Sequence, residues 1–157
     1  MKVEKAGNKV VICGIGNPWR RDDGAGVAAA RMLSDKFVTF LCETTPENFI
    51  DEICAEKPDT VIIIDSANFD GKPGEYRQLK PEEVENYTIT THIIPIPMIA
   101  KMIERCCHHI IIYGIQFKDI SFGEELSEEV RQGVQELVSE IERTFGEEIT
   151  DDGTGRD

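Results

Sequence analysis

The chain is short of positive charge, of histidine and of long apolar runs. Lys and Arg number 17 against 30 Asp and Glu, a formal charge of −13, which disfavours nucleic acid and anionic membranes as partners. No apolar run approaches the roughly 20 residues that cross a bilayer. Residues 1–9 are polar and lack the apolar centre of a secretory signal. There is no C-x-x-C pair, no H-E-x-x-H zinc-protease helix and no G-x-S-x-G nucleophile elbow. The five cysteines, Cys13, Cys42, Cys54, Cys106 and Cys107, are odd in number, and several fall in apolar runs. They read as reduced core thiols in a cytoplasmic protein. Cys106-Cys107-His108-His109 offers metal-binding residue types, but adjacent side chains diverge, so the structural reading outweighs the metal one. No repeat or linker interrupts the 157 residues. Residues 1–145 read as one domain, and the glycine-rich acidic stretch 146–157 as a flexible tail.

What the chain does have is a glycine-rich loop, Gly14-Ile15-Gly16-Asn17-Pro18-Trp19-Arg20-Arg21-Asp22-Asp23-Gly24-Ala25-Gly26. It follows the apolar run Val10–Cys13 and leads into an apolar helical pattern from Val27 to Leu33. Such a strand–loop–helix unit invites a phosphate-cradle reading. Asp22 and Asp23 at the helix entrance oppose it, because they would repel a phosphate. A helix N-terminus favours negative charge, so the pair suits helix capping and cation binding about equally.

Further along, apolar strands alternate with helical patterns. Strands are expected over Lys9–Ile15, Phe37–Cys42, Thr60–Ile64 and His108–Ile115, with a polar edge strand over Glu75–Leu79. Helices are expected from Gly24 to Ser34, from the Thr44-Thr45-Pro46-Glu47 start, over Met98–Cys107 and over Glu125–Phe145. The order implies an α/β fold of three layers: a mostly parallel, twisted sheet of about five strands with helices on both faces.

Open parallel sheets carry their working residues just beyond the strands' carboxyl ends. Asp23 follows the first strand, Asp65 ends the third, and His92 follows the next segment. A charge directly after Val61-Ile62-Ile63-Ile64 is rarely there for packing. Two carboxylates and an imidazole on one edge suit a divalent ion. Three protein ligands with open remaining positions fit a catalytic or substrate-bridging site better than a structural one.

These blocks, together with Ile64-Asp65-Ser66-Ala67, Pro73-Gly74-Glu75, Thr90-Thr91-His92 and Gly114-Ile115-Gln116, resemble the nickel–iron hydrogenase maturation endopeptidases. Pro46-Glu47-Asn48 and Gly114-Ile115-Gln116 resemble the branch serving hydrogen-evolving, formate-hydrogenlyase-type enzymes. The resemblance implies an enzyme that trims the C-terminal peptide from the hydrogenase large subunit precursor. It implies that Asp23, Asp65 and His92 contact nickel and are the catalytic residues, and that the nickel arrives with the substrate. The isolated protein is then expected to hold metal weakly or not at all. Relatives often carry Asp-Gly-Gly at the second-strand exit, where this chain has Leu41-Cys42-Glu43-Thr44. Arg20 or Arg21 is expected to pair with a substrate carboxylate. The contrasting readings are a non-catalytic nickel-sensing chaperone for hydrogenase assembly and a general small metallohydrolase.

Overall fold

The computed structural model describes residues 8–84 and 94–146. The strands are β1 (Val10–Ile15), β2 (Val38–Glu43), β3 (Thr60–Ala67), β4 (Tyr76–Leu79) and β5 (His109–Gln116). The helices are α1 (Ala25–Leu33), α2 (Ile50–Ala55), the single turn α3 (Pro81–Val84), α4 (Ile96–Ile103) and α5 (Glu128–Ile141). The sheet runs β2-β1-β3-β5-β4, parallel throughout except for the antiparallel edge strand β4. The expected three-layer α/β architecture is therefore what the chain adopts.

Alternation along the strands builds the two cores. In β3, Ile62 and Ile64 face α1 and α5, where they meet Ala29, Leu33, Val134 and Leu137. Val61 and Ile63 face α2 and α4, where they meet Ile53, Ile99 and Ile103. Both faces of the sheet are covered, which is why β1 and β3 read as unbroken apolar runs.

Boundaries moved in ways that matter for the site. The third strand does not stop at Ile64; it continues to Ala67, with Asp65 paired to Gly114 and Ser66 to Ile115. Asp65 is thus held by the ladder itself, not by a turn. The Pro46 helix begins as a 3-10 turn (Pro46–Phe49) before α2. The helix expected over 98–107 starts earlier, at Ile96 after Pro95, and ends at Ile103, which leaves Cys106 and Cys107 beyond it. The C-terminal helix starts later than the expected Glu125, contains all of its apolar pattern, and closes in a π turn, Glu142–Gly146. The expected tail, apart from Gly146, lies outside the described residues.

The cysteine expectation needs correction. Cys54 and Cys106 form a disulfide, with their Cα atoms 5.6 Å apart. Cys54 lies in α2 and Cys106 just past α4. Because these two helices cover the same sheet face, residues 52 positions apart in sequence become neighbours. Cys13, Cys42 and Cys107 are free and buried. The Cys42 thiol beside Cys13, and then burial, push the Cys13 thiol well above its ordinary pKa. Alkylation of the unfolded, unreduced protein should add mass at three cysteines, and at all five after reduction. Five additions without reductant would remove the disulfide. Among the described residues, no helix is long and apolar enough to cross a membrane.

Candidate active site at the carboxyl edge of the sheet

The glycine loop leaves β1 at Ile15 and re-enters regular structure through a 3-10 turn, Arg21–Gly24, ahead of α1. Gly16 makes this path possible. Its φ of +132° is a conformation that side chains disfavour, and an added Cβ would fall inside the envelope of the Asp23 carbonyl oxygen. The same Cβ would stand 3.7 Å from Asp65 Oδ1, so Gly16 occupies the space between the two aspartates' chains. Its N–H donates to the Glu43 carbonyl at 2.9 Å, which ties the loop to the end of β2. Glu43 itself is exposed and sits at φ +53°, where a glycine is the easier residue.

The two neighbouring aspartates do different work. Asp22 is fully buried, and its carboxylate accepts from Lys118 N–H (3.0 Å), Asp119 N–H (2.9 Å), Ser127 N–H (2.8 Å) and Ser127 Oγ (2.8 Å). It staples the segment before α5 onto the glycine loop. The N-cap position of α1 is Gly24, and both aspartates lie in the first turn of the 3-10 helix that leads into it, where their charge suits the helix dipole.

Asp23 is 1% exposed and faces the other way. Its Oδ2 accepts the Asn17 N–H at 3.1 Å, and its Oδ1 accepts the Ser66 hydroxyl at 2.8 Å. Asp65 is 4% exposed, and its Oδ1 accepts the Ser66 N–H at 2.7 Å. Ser66, wholly buried, therefore links both carboxylates: one by its side chain, the other by its backbone. The structure brings Asp23 and Asp65 together at the carboxyl ends of β1 and β3. His92 lies outside the described residues.

Two residues of the neighbourhood were not singled out from sequence. Ser66 is one. The other is Gln116, whose buried amide accepts from Phe69 N–H (2.9 Å) and Gly71 N–H (3.0 Å) and donates to Asn68 Oδ1 (3.2 Å) and the Phe117 carbonyl (3.0 Å). It fixes the loop that leaves β3 beyond Asp65. The usable signal was the same in both cases: a polar residue at the end of a continuous apolar strand.

Arg20 and Arg21 take intramolecular roles. Arg20 Nε donates to the Ile120 carbonyl at 3.0 Å, and Arg21 lies 3.5 Å from the Glu125 carbonyl and 3.9 Å from Asp119. Both guanidinium groups hold the 118–125 segment. The Cys106-to-His109 run forms no metal cluster among the described residues. Cys106 is in the disulfide, the Cys107 thiol faces the His109 carbonyl, and the His109 ring sits 3.0 Å from Thr60 Oγ1.

Two carboxylates tied to the same serine are hard oxygen donors of the kind a divalent cation takes, and either is a proton acceptor for a water attacking a carbonyl. Ser66 positions both. Ser66→Ala should lower the rate of the reaction by about tenfold at matched folded fraction and cost about 1–2 kcal/mol of stability, because the buried Asp23 carboxylate loses a donor. Equal rates for the alanine variant and the wild type would show that the hydroxyl does not matter.

Comparison with known proteins identifies the family and the fold. Residues 42–144 match the family described as HycI, hydrogenase maturation protease. A Methanocaldococcus jannaschii protein described as a putative hydrogenase maturation protease is 34% identical over 146 residues, covering 85% of this chain and 86% of its own. The Escherichia coli hydrogenase 3 maturation protease is 26% identical over 138 residues, covering 85% and 88%. The crystal structure of the [NiFe] hydrogenase maturation protease HycI from Thermococcus kodakarensis superposes with a TM-score of 0.78 at 28% identity, covering 92% of this chain and 99% of that one.

Proposed function

The chain belongs to the hydrogenase maturation protease family, and from that premise we propose that it removes the C-terminal peptide from the nickel-loaded large subunit of a nickel–iron hydrogenase. In this reading Asp23, Asp65 and His92 contact the nickel that the substrate carries. The observation that supports it most is the Ser66 bridge, which puts two buried carboxylates at one sheet edge, on the loop and strand end that the family's motifs occupy.

The chemistry follows from the residue types. Carboxylates and imidazole both suit a divalent first-row metal, and nickel accepts either. Opening the peptide bond requires a water to lose a proton and the departing amine to gain one. A carboxylate at this edge takes the first proton and returns it. Asn17 N–H and the Ser66 hydroxyl hold the Asp23 carboxylate from two directions, which fixes where such a proton or cation is met. A site that waits for its metal to arrive with the substrate acts only on a precursor already loaded.

Incubating the protein with nickel-loaded large subunit precursor and measuring the intact mass of the precursor tests this. Loss of a C-terminal peptide is the expected result. A stable complex of unchanged mass would favour the chaperone reading instead. Cleavage of short peptides without any nickel-loaded protein would favour a general metallohydrolase.

A further inference from the structure

Two large aromatic side chains stand in solvent beside this site. Trp19 is 57% exposed and Phe122 is 84% exposed. They sit on two segments locked together by backbone: the Gly123 N–H donates to the Trp19 carbonyl at 2.8 Å, and the Arg21 N–H donates to the Gly123 carbonyl at 2.8 Å. Arg20 and Gly123 form a parallel bridge between them. Arg20 Nε and the Asp22 carboxylate add side-chain ties to Ile120, Lys118 and Asp119. The aromatics are therefore presented from a braced platform.

That platform is continuous with the catalytic loop. Trp19 N–H donates to Asn17 Oδ1 at 2.9 Å, while Asn17 N–H donates to Asp23. Asp23 N–H in turn reaches the Arg20 carbonyl at 2.9 Å. A body that places its peptide at Asp23 meets Trp19 within one turn of chain. The chain as a whole is strongly acidic, yet segments 17–23 and 117–123 carry three basic and three acidic residues between them. Locally the charge cancels, which suits contact with an apolar surface.

We propose that Trp19 and Phe122 form a docking patch for the folded body of the substrate protein, gripping an apolar surface next to the peptide that is cut. The inference rests on the proposed function and adds to it a second point of contact, away from the reacting bond. Size argues for this occupant over a second copy of the chain. Two aromatic side chains bury on the order of 150–250 Å² each, well below the roughly 800 Å² per partner of a stable standard interface. Alone they cannot hold a partner; joined to contacts at the cleavage edge, they can. Tryptophan and exposed aromatic anchors are also the residue types that dominate such contacts.

The test is steady-state cleavage of nickel-loaded precursor by Trp19→Ala, Phe122→Ala and the double variant, with binding measured separately in an Asp65→Asn background. Each single variant should raise KM about tenfold, the double variant more, with kcat within about twofold of wild type. Binding to the precursor should weaken in parallel. Both side chains are exposed, so thermal midpoints should stay put. An unmoved KM in the double variant overturns the patch while leaving the activity standing. Wild-type dimers that the double variant dissolves would overturn it too, by assigning the patch to self-association. If the wild type shortens no precursor yet binds it through Trp19, the activity fails and the patch survives.

Discussion

Asparagine at position 23 is expected to abolish processing, a loss of at least about a thousandfold, while leaving the melting temperature close to wild type. Asparagine at position 22 is expected to do something else: lower stability by about 3 kcal/mol, with activity falling only as the folded fraction falls. The residues are adjacent and chemically identical, and the difference lies in what they touch. The Asp22 carboxylate meets four donors from residues 118–127, which occupy both of its oxygens. An amide there turns an N–H₂ group toward backbone N–H groups and leaves buried donors without an acceptor. Asp23 instead leans on Ser66 and Asn17 at the sheet edge. Activity at matched folded fraction, together with a denaturation curve for each variant, checks the contrast. Equal loss of stability in both would mean that Asp23 is a second staple.

Alanine at Gly26 is expected to cost at least about 3 kcal/mol and to lower the soluble yield sharply. Helix propensity alone predicts the opposite sign, since alanine in a helix is better than glycine by about 1 kcal/mol. Packing decides. A Cβ at Gly26 would penetrate the Ile64 carbonyl oxygen and come within 2.6 Å of the Ile15 carbonyl oxygen. Both are backbone atoms of central strands, held by the ladder, and neither has room to yield. The first turn of α1 lies directly on β1 and β3 because position 26 carries no side chain. Urea denaturation measures the outcome; a stabilised variant would show that the helix can ride higher without harm.

The fold was legible because it is written in hydrophobic continuity. Val61–Ile64 and Ile110–Ile112 have no polar interruptions, which only strands covered on both faces tolerate. Glu75–Leu79 alternates and became the antiparallel edge. The extent of β3 was harder, because Asp65 looks like a stop signal in one dimension. In the sheet it is a ladder residue whose side chain has reached the open edge. The meeting of Asp23 and Asp65 followed from parallel-strand logic, but the division of labour between Asp22 and Asp23 did not. That division depends on a segment about a hundred residues away, at Lys118, Asp119 and Ser127. The Cys54–Cys106 pairing was hidden for the same reason: nothing local says that α2 and the end of α4 share a sheet face. His92 was expected at the same edge from strand order and from the resemblance, and it lies outside the described residues.

The most direct test of the central claim compares two preparations of the same large subunit precursor, one loaded with nickel and one nickel-free. Each is incubated with the wild-type protein and with its Asp23→Asn and Asp65→Asn variants, and the intact mass of the precursor is followed. The account predicts shortening only for the loaded precursor and only with the wild type. Equal shortening of both preparations, or normal shortening by either variant, would contradict it.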